Sequence, residues 1–120
     1  MDRTTRQKIC QLVAGIVITD DILDSKEEAF VDRMIASFGL SDTNRDVIFP
    51  LVDAKEAAEE MQRLPKDAQD EAFRLLIEAA AVDGEIVPEE RAYLKAVADV
   101  LGVSQEDIEQ RLANQLAAAS

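Results

Sequence analysis

The sequence predicts an all-α fold of about seven helices, and three observations carry that expectation. Apolar residues recur at i, i+3, i+4 and i+7 along most of the chain. Strands need alternating runs of β-branched and aromatic residues; only "GIVIT" hints at one, and it lies inside a helical pattern. Residues that start and stop helices punctuate the chain at intervals suited to helices.

The elements follow in order. Ile9, Leu12, Val13 and Ile16 share one face, so a first helix is expected from about Thr4 to Thr19. The stretch "DSKE", Asp24 to Glu27, resembles a capping box and opens a second helix. Its apolar face is Phe30, Val31, Met34, Ile35 and Phe38, and Gly39 is a natural left-handed stop. Ser41 caps a short third helix through Ile48, which Pro50 ends. Asp53 to Glu56 is another box and opens a fourth helix to about Leu64. Pro65 permits a fresh start, and a fifth helix carries Phe73, Leu75, Leu76, Ala79 and Ala80 up to Asp83 and Gly84. Pro88 starts a sixth, with Tyr93, Leu94, Val97 and Leu101 inward, and Gly102 stops it. Ser104 caps a seventh with Ile108, Leu112 and Leu116; the closing "AAAS" is expected to fray.

A shift of 63 positions lays one half of the chain on the other. Asp20 falls on Asp83, Leu23 on Ile86, Glu27 on Glu90, Phe30 on Tyr93 and Met34 on Val97. Gly39, Leu40 and Ser41 fall on Gly102, Val103 and Ser104, with no gap needed. Two copies do not make a solenoid. The expectation is one domain over residues 1–120, with repeat halves at about 4–41 and 67–104. Each half is a helix–elbow–helix hairpin, and the two pack face to face about a pseudo-twofold axis.

Composition narrows the chemistry. A chain of 120 residues has the length of one domain and needs no disulfide or metal to fold. The net charge of −12 argues against nucleic acid and anionic membranes, whose binding rests on Lys and Arg. It suits basic protein partners and divalent cations. No apolar run approaches the ~18 residues of a membrane span, and the N-terminus lacks a signal-peptide pattern. The single cysteine, Cys10, fits a core position and a reducing cytoplasm. With no histidine, any bound metal is expected to be a hard ion held by oxygens, meaning calcium, magnesium or manganese.

The elbows "TDDILDSKEE" and "VDGEIVPEE" gather the acids. Asp20 and Asp83 sit near the negative end of a helix, where an acid is mildly unfavourable. Each is matched to a later glutamate, Glu27 or Glu90, across a chain reversal, and carboxylates pressed together favour a cation between them. Asp21, Asp24, Glu85 and Glu89 supply further oxygens. The plainer reading is that Glu27 and Glu90 cap helices and that Asp83 and Gly84 make a turn. The EF-hand pattern fails, because the elbow is too short. Di-iron bundles need Glu-x-x-His, and no histidine exists. A two-carboxylate glycosidase would want aromatics around a sugar cleft, and the chain has no Trp and one Tyr. The chain is therefore expected not to be an enzyme.

The second half, with "DGEIVPEE", an amphipathic helix, "LGVS" and a terminal helix, resembles the TerB-like domains of tellurite-resistance proteins and of DjlA-type co-chaperones. That resemblance is clearest from Glu78 to Leu112 and reaches Asp20–Ser41 through the repeat. It implies a duplicated all-helical fold, divalent-cation binding in some members, and an adaptor role near a membrane protein of the TerC type. By position its acids fall on Asp83, Glu85 and Glu90, and through the repeat on Asp20 and Glu27. Asp21 stands where the second half has Gly84, which makes a left-handed turn harder in the first elbow. The expectation is a cytoplasmic, non-enzymatic module that binds Ca2+ or Mg2+ at Asp20, Glu27, Asp83, Glu85 and Glu90. The alternative is a metal-independent acidic helical domain that binds a protein partner.

Overall fold

Six helices make up the described chain: α1 (Arg3–Val17), α2 (Ser25–Ser37), α3 (Ala54–Arg63), α4 (Lys66–Ala81), α5 (Pro88–Leu101) and α6 (Gln105–Ala119). The computed structural model describes residues 2–17, 25–40, 53–82 and 86–119. No strand occurs among the described residues. The helix expected at Ser41–Ile48 lies outside them.

The starts and stops follow from local chemistry. Asp53 caps α3, its carboxylate accepting from the Glu56 amide at 2.8 Å. Ser104 caps α6, its hydroxyl accepting from the Asp107 amide at 3.1 Å. Pro65 is the N-cap of α4, and Pro88 fills the first turn of α5, where a missing N–H costs nothing. α6 is described through Ala119, and Ser120, the last residue of the tail expected to fray, lies outside the described residues. Alanine is the best helix former, so nothing in that tail breaks the pattern.

The 63-position correspondence read from the sequence can be laid on the helices. Shifted by 63, residues 3–17 of α1 fall within α4, and residues 25–37 of α2 fall within α5. Buried Leu12, Val13, Phe30 and Val31 correspond to buried Leu75, Leu76, Tyr93 and Leu94. Both second helices end in the same left-handed cap. Gly39 has φ 71° and Gly102 has φ 73°. The amide after each glycine reaches five residues back to a helical carbonyl, Leu40 to Ile35 at 2.9 Å and Val103 to Ala98 at 3.0 Å.

The core is built on α1 and α4, which pack against each other and carry the longest buried faces. Cys10, Met34 and Met61 belong to it, the first two as the sequence predicts. α2 packs on α1, α6 packs on α4, and α3 lies along α5 with its edge against α1. Ala57 and Met61, one turn apart on α3, are fully buried there. Lys8 of α1 meets Glu60 of α3 at 3.4 Å. Two side chains tie helix ends across the fold: Arg6 donates to the Phe38 carbonyl at 2.7 Å, and Gln69 to the Met61 carbonyl at 3.0 Å.

Candidate functional site

Only two charged side chains are buried among the described residues, and they are the repeat-matched glutamates. Glu27 is 5 % exposed and Glu90 is 6 % exposed. Each stands in the first turn of the helix that follows an acidic elbow. A carboxylate withdrawn from water costs several kcal/mol unless hydrogen bonds or a cation compensate it. Both glutamates have interaction partners, and for Glu90 one of them is a backbone amide. Its carboxylate accepts from the Val87 amide at 3.1 Å, which closes half of a capping box. Val87 has no side-chain acceptor to close the other half. The helix N-terminus adds its partial positive charge to both sites.

Asp20, Asp83 and Glu85 lie outside the described residues, as do Asp21, Asp24 and Gly84. Of the five predicted ligands, therefore, Glu27 and Glu90 are placed, one on α2 and one on α5. Among the described residues no group of three acids or cysteines stands together as a ligand set.

The surroundings favour oxygen over sulfur chemistry. Cys10 is fully buried, and desolvation pushes its thiol up to about 12, so it stays protonated at neutral pH. Tyr93, one turn beyond Glu90, donates its hydroxyl to the Leu12 carbonyl at 2.7 Å. Burial first, and the Asp53 carboxylate second, raise its pKa well above the usual tyrosine value. This bond joins α5, just after the second elbow, to α1, just before the first.

A family model described as tellurite resistance protein TerB matches residues 51–113, more than half of the chain. The chain belongs to the TerB family. No curated relative and no solved structure matches it. The TerB match spans α3, α4, the second elbow, α5 and most of α6, so Asp83, Glu85 and Glu90 fall inside it and Asp20 and Glu27 before it.

Sequence reasoning missed three features of this TerB chain. The sequence places Tyr93 inward but does not show that its hydroxyl reaches the Leu12 carbonyl. Nor does it show Arg6 as the clamp on the end of α2. The third is a cleft of about 340 Å³ between α2 and α4, whose apolar walls are Phe30, Met34, Phe38 and Leu75. Its signal was available in the repeat, since α5 is covered by α3 and α2 has no like cover among the described residues.

Proposed function

We propose that this TerB chain is a non-enzymatic adaptor that binds a divalent cation at its acidic elbows. In this reading it works on the cytoplasmic side, in tellurite-resistance or stress-response complexes, with a protein partner such as a TerC-type membrane protein. The observation that carries it is the burial of Glu27 and Glu90 at repeat-matched positions, where carboxylates gain from a positive neighbour. The donor chemistry fits a hard ion. The chain has no histidine, its one thiol is buried and protonated, and the elbows are rich in carboxylates. Glu27 and Glu90 would hold Ca2+ or Mg2+ together with Asp20, Asp83 and Glu85, and the ion would neutralise acids gathered in a small space. No described helix is long and apolar enough to cross a membrane, which suits a module that docks on a membrane partner and does not span the bilayer.

The test is calcium and magnesium titration by calorimetry of the wild-type chain and of Asp83→Ala with Glu90→Ala. The proposal expects heat of binding from the wild type that the double variant loses. Equal and negligible heats would end the cation reading.

A second reading has its own observation. Glu90 already accepts a backbone amide, as a helix-capping acid does without any ion. On that reading the chain is a metal-independent acidic interaction domain. Partner binding would then be unchanged by a chelator and by substitution of Asp20 or Asp83 to Asn.

A further inference from the structure

The two halves of the chain present equivalent grooves, and among the described residues only one of them is filled by a helix of the chain itself. α3 lies in the groove between α5 and α1, burying Ala57 and Met61 there. Shifted by 63 positions, α5 corresponds to α2 and α1 to α4. The counterpart of the α3 seat is therefore the groove between α2 and α4, which is where the 340 Å³ cleft lies. Its walls are the counterparts of the residues at the filled groove. Phe30, Met34, Phe38 and Leu75 stand where Tyr93, Val97, Leu101 and Leu12 stand in the other half. They are also the less covered set. Phe30 is 8 % exposed against 2 % for Tyr93, and Leu75 is 8 % exposed against 1 % for Leu12.

We propose that the α2–α4 cleft receives an amphipathic helix from a protein partner, seated as α3 is seated between α5 and α1, with small or flexible apolar anchors four residues apart. The anchors are read from α3 itself, whose buried pair is Ala57 and Met61. Charge at the rim specifies more. In the filled groove Lys8 of α1 holds Glu60 of α3. The counterpart of Lys8 on α4 is Glu71, an acid at the cleft, already shared with Arg74. The incoming helix therefore carries a base where α3 carries Glu60. On the opposite wall Arg33 is exposed and has no ion-pair partner among the described residues, so an acid on the partner meets it. A second recess lined by Ala81, Val82 and Gln115 continues past Glu78 and lengthens the seat. This gives a surface to the adaptor role and is independent of cation binding.

The probe is a hydrocarbon-stapled peptide of residues 53–64 carrying Glu60→Lys, titrated into the full 15N-labelled chain in the presence of chelator. Amide shifts are expected to cluster on Phe30, Arg33, Met34, Arg74 and Leu75. The unsubstituted peptide is expected to bind several-fold more weakly. Phe38→Ala and Arg33→Glu change a half-buried and an exposed side chain, so the fold survives, and each is expected to weaken binding by about tenfold. Absence of shifts up to millimolar peptide, or shifts confined to α5 and α1, would overturn the proposal. Self-association of the chain through Phe38 in sedimentation would make a second copy the occupant and overturn it as well. Nuclear Overhauser contacts from residues 41–52 to Phe38 or Leu75 in the free chain would do the same. Because chelator is present throughout, failure of the cation reading leaves these outcomes untouched.

Discussion

The Tyr93 hydroxyl of α5 donates to the Leu12 carbonyl of α1 across 2.7 Å of buried interior. The two residues belong to opposite halves of the repeat, and the counterpart of Tyr93 is Phe30, which has no hydroxyl. The bond is thus particular to one half. A neutral buried hydrogen bond contributes about 1 kcal/mol net. Tyr93→Phe keeps the ring and its packing, and Leu12 lies within a helix whose own ladder occupies its carbonyl. The expected loss is about 1 kcal/mol, a fall of about 4 °C in Tm. Thermal unfolding by circular dichroism measures it; an unchanged Tm would mean the hydroxyl contributes nothing to stability.

Alkaline pH should destabilise the fold before any acid is involved. Burial raises Cys10 from its ordinary 9.0 to about 12, and raises Tyr93 above its ordinary 10.0. Above pH 9 the unfolded chain therefore releases protons that the folded chain retains. The unfolded state binds fewer protons, so stability falls as pH rises through this window. Below pH 9 the contribution is fully present. Cys10→Ala removes the thiol part. The stability gap between wild type and Cys10→Ala should shrink by roughly 2 kcal/mol between pH 8 and pH 10.5. Urea denaturation at a series of pH values reads it, and parallel curves would contradict it.

Gly39 and Gly102 offer a matched pair. Their φ angles are 71° and 73°, a region that residues with a Cβ adopt at a cost of roughly 1–2 kcal/mol. Space does not separate them. A Cβ at Gly102 would meet nothing within 4 Å, and one at Gly39 would meet only the Arg6 guanidinium at 3.5 Å, an ordinary contact. Gly39→Ala and Gly102→Ala should each cost about 1–2 kcal/mol by backbone strain alone, and by similar amounts. Asn at either position should cost less, since it tolerates the left-handed region better. A large excess at one site in chemical denaturation would point to a contact beyond the cap itself.

Helix boundaries were legible because their chemistry is local. Asp53, Pro65, Pro88, Gly39, Gly102 and Ser104 act on the few residues beside them, and each starts or stops a helix where the sequence places it. The buried faces were legible because helical spacing puts Leu12 with Ile16, and Leu94 with Val97. The burial of Glu27 and Glu90 was not. A capping glutamate in solvent and a buried one have the same sequence, and only the tertiary cover tells them apart. The Arg6 clamp was hidden for the same reason, because its acceptor is a backbone carbonyl 32 positions away.

The seat of α3 should depend on its apolar anchor and hardly at all on its ion pair. Met61 is fully buried, and truncation of such a side chain costs about 2–5 kcal/mol through lost burial and the cavity left behind. The Lys8–Glu60 pair spans 3.4 Å with side chains 42 % and 24 % exposed, so solvent screens it and its worth is about 0–1 kcal/mol. Met61→Ala should therefore lower stability by about 3 kcal/mol, and Lys8→Ala by less than about 1 kcal/mol. Hydrogen exchange adds a spatial readout. In Met61→Ala the amides of α3 should exchange through local opening while those of α4 stay protected, because α3 rests on the groove and α4 lies in the core. Equal acceleration across both helices would show that α3 is part of the same cooperative unit as α4. The groove between α5 and α1 would then be no separable seat.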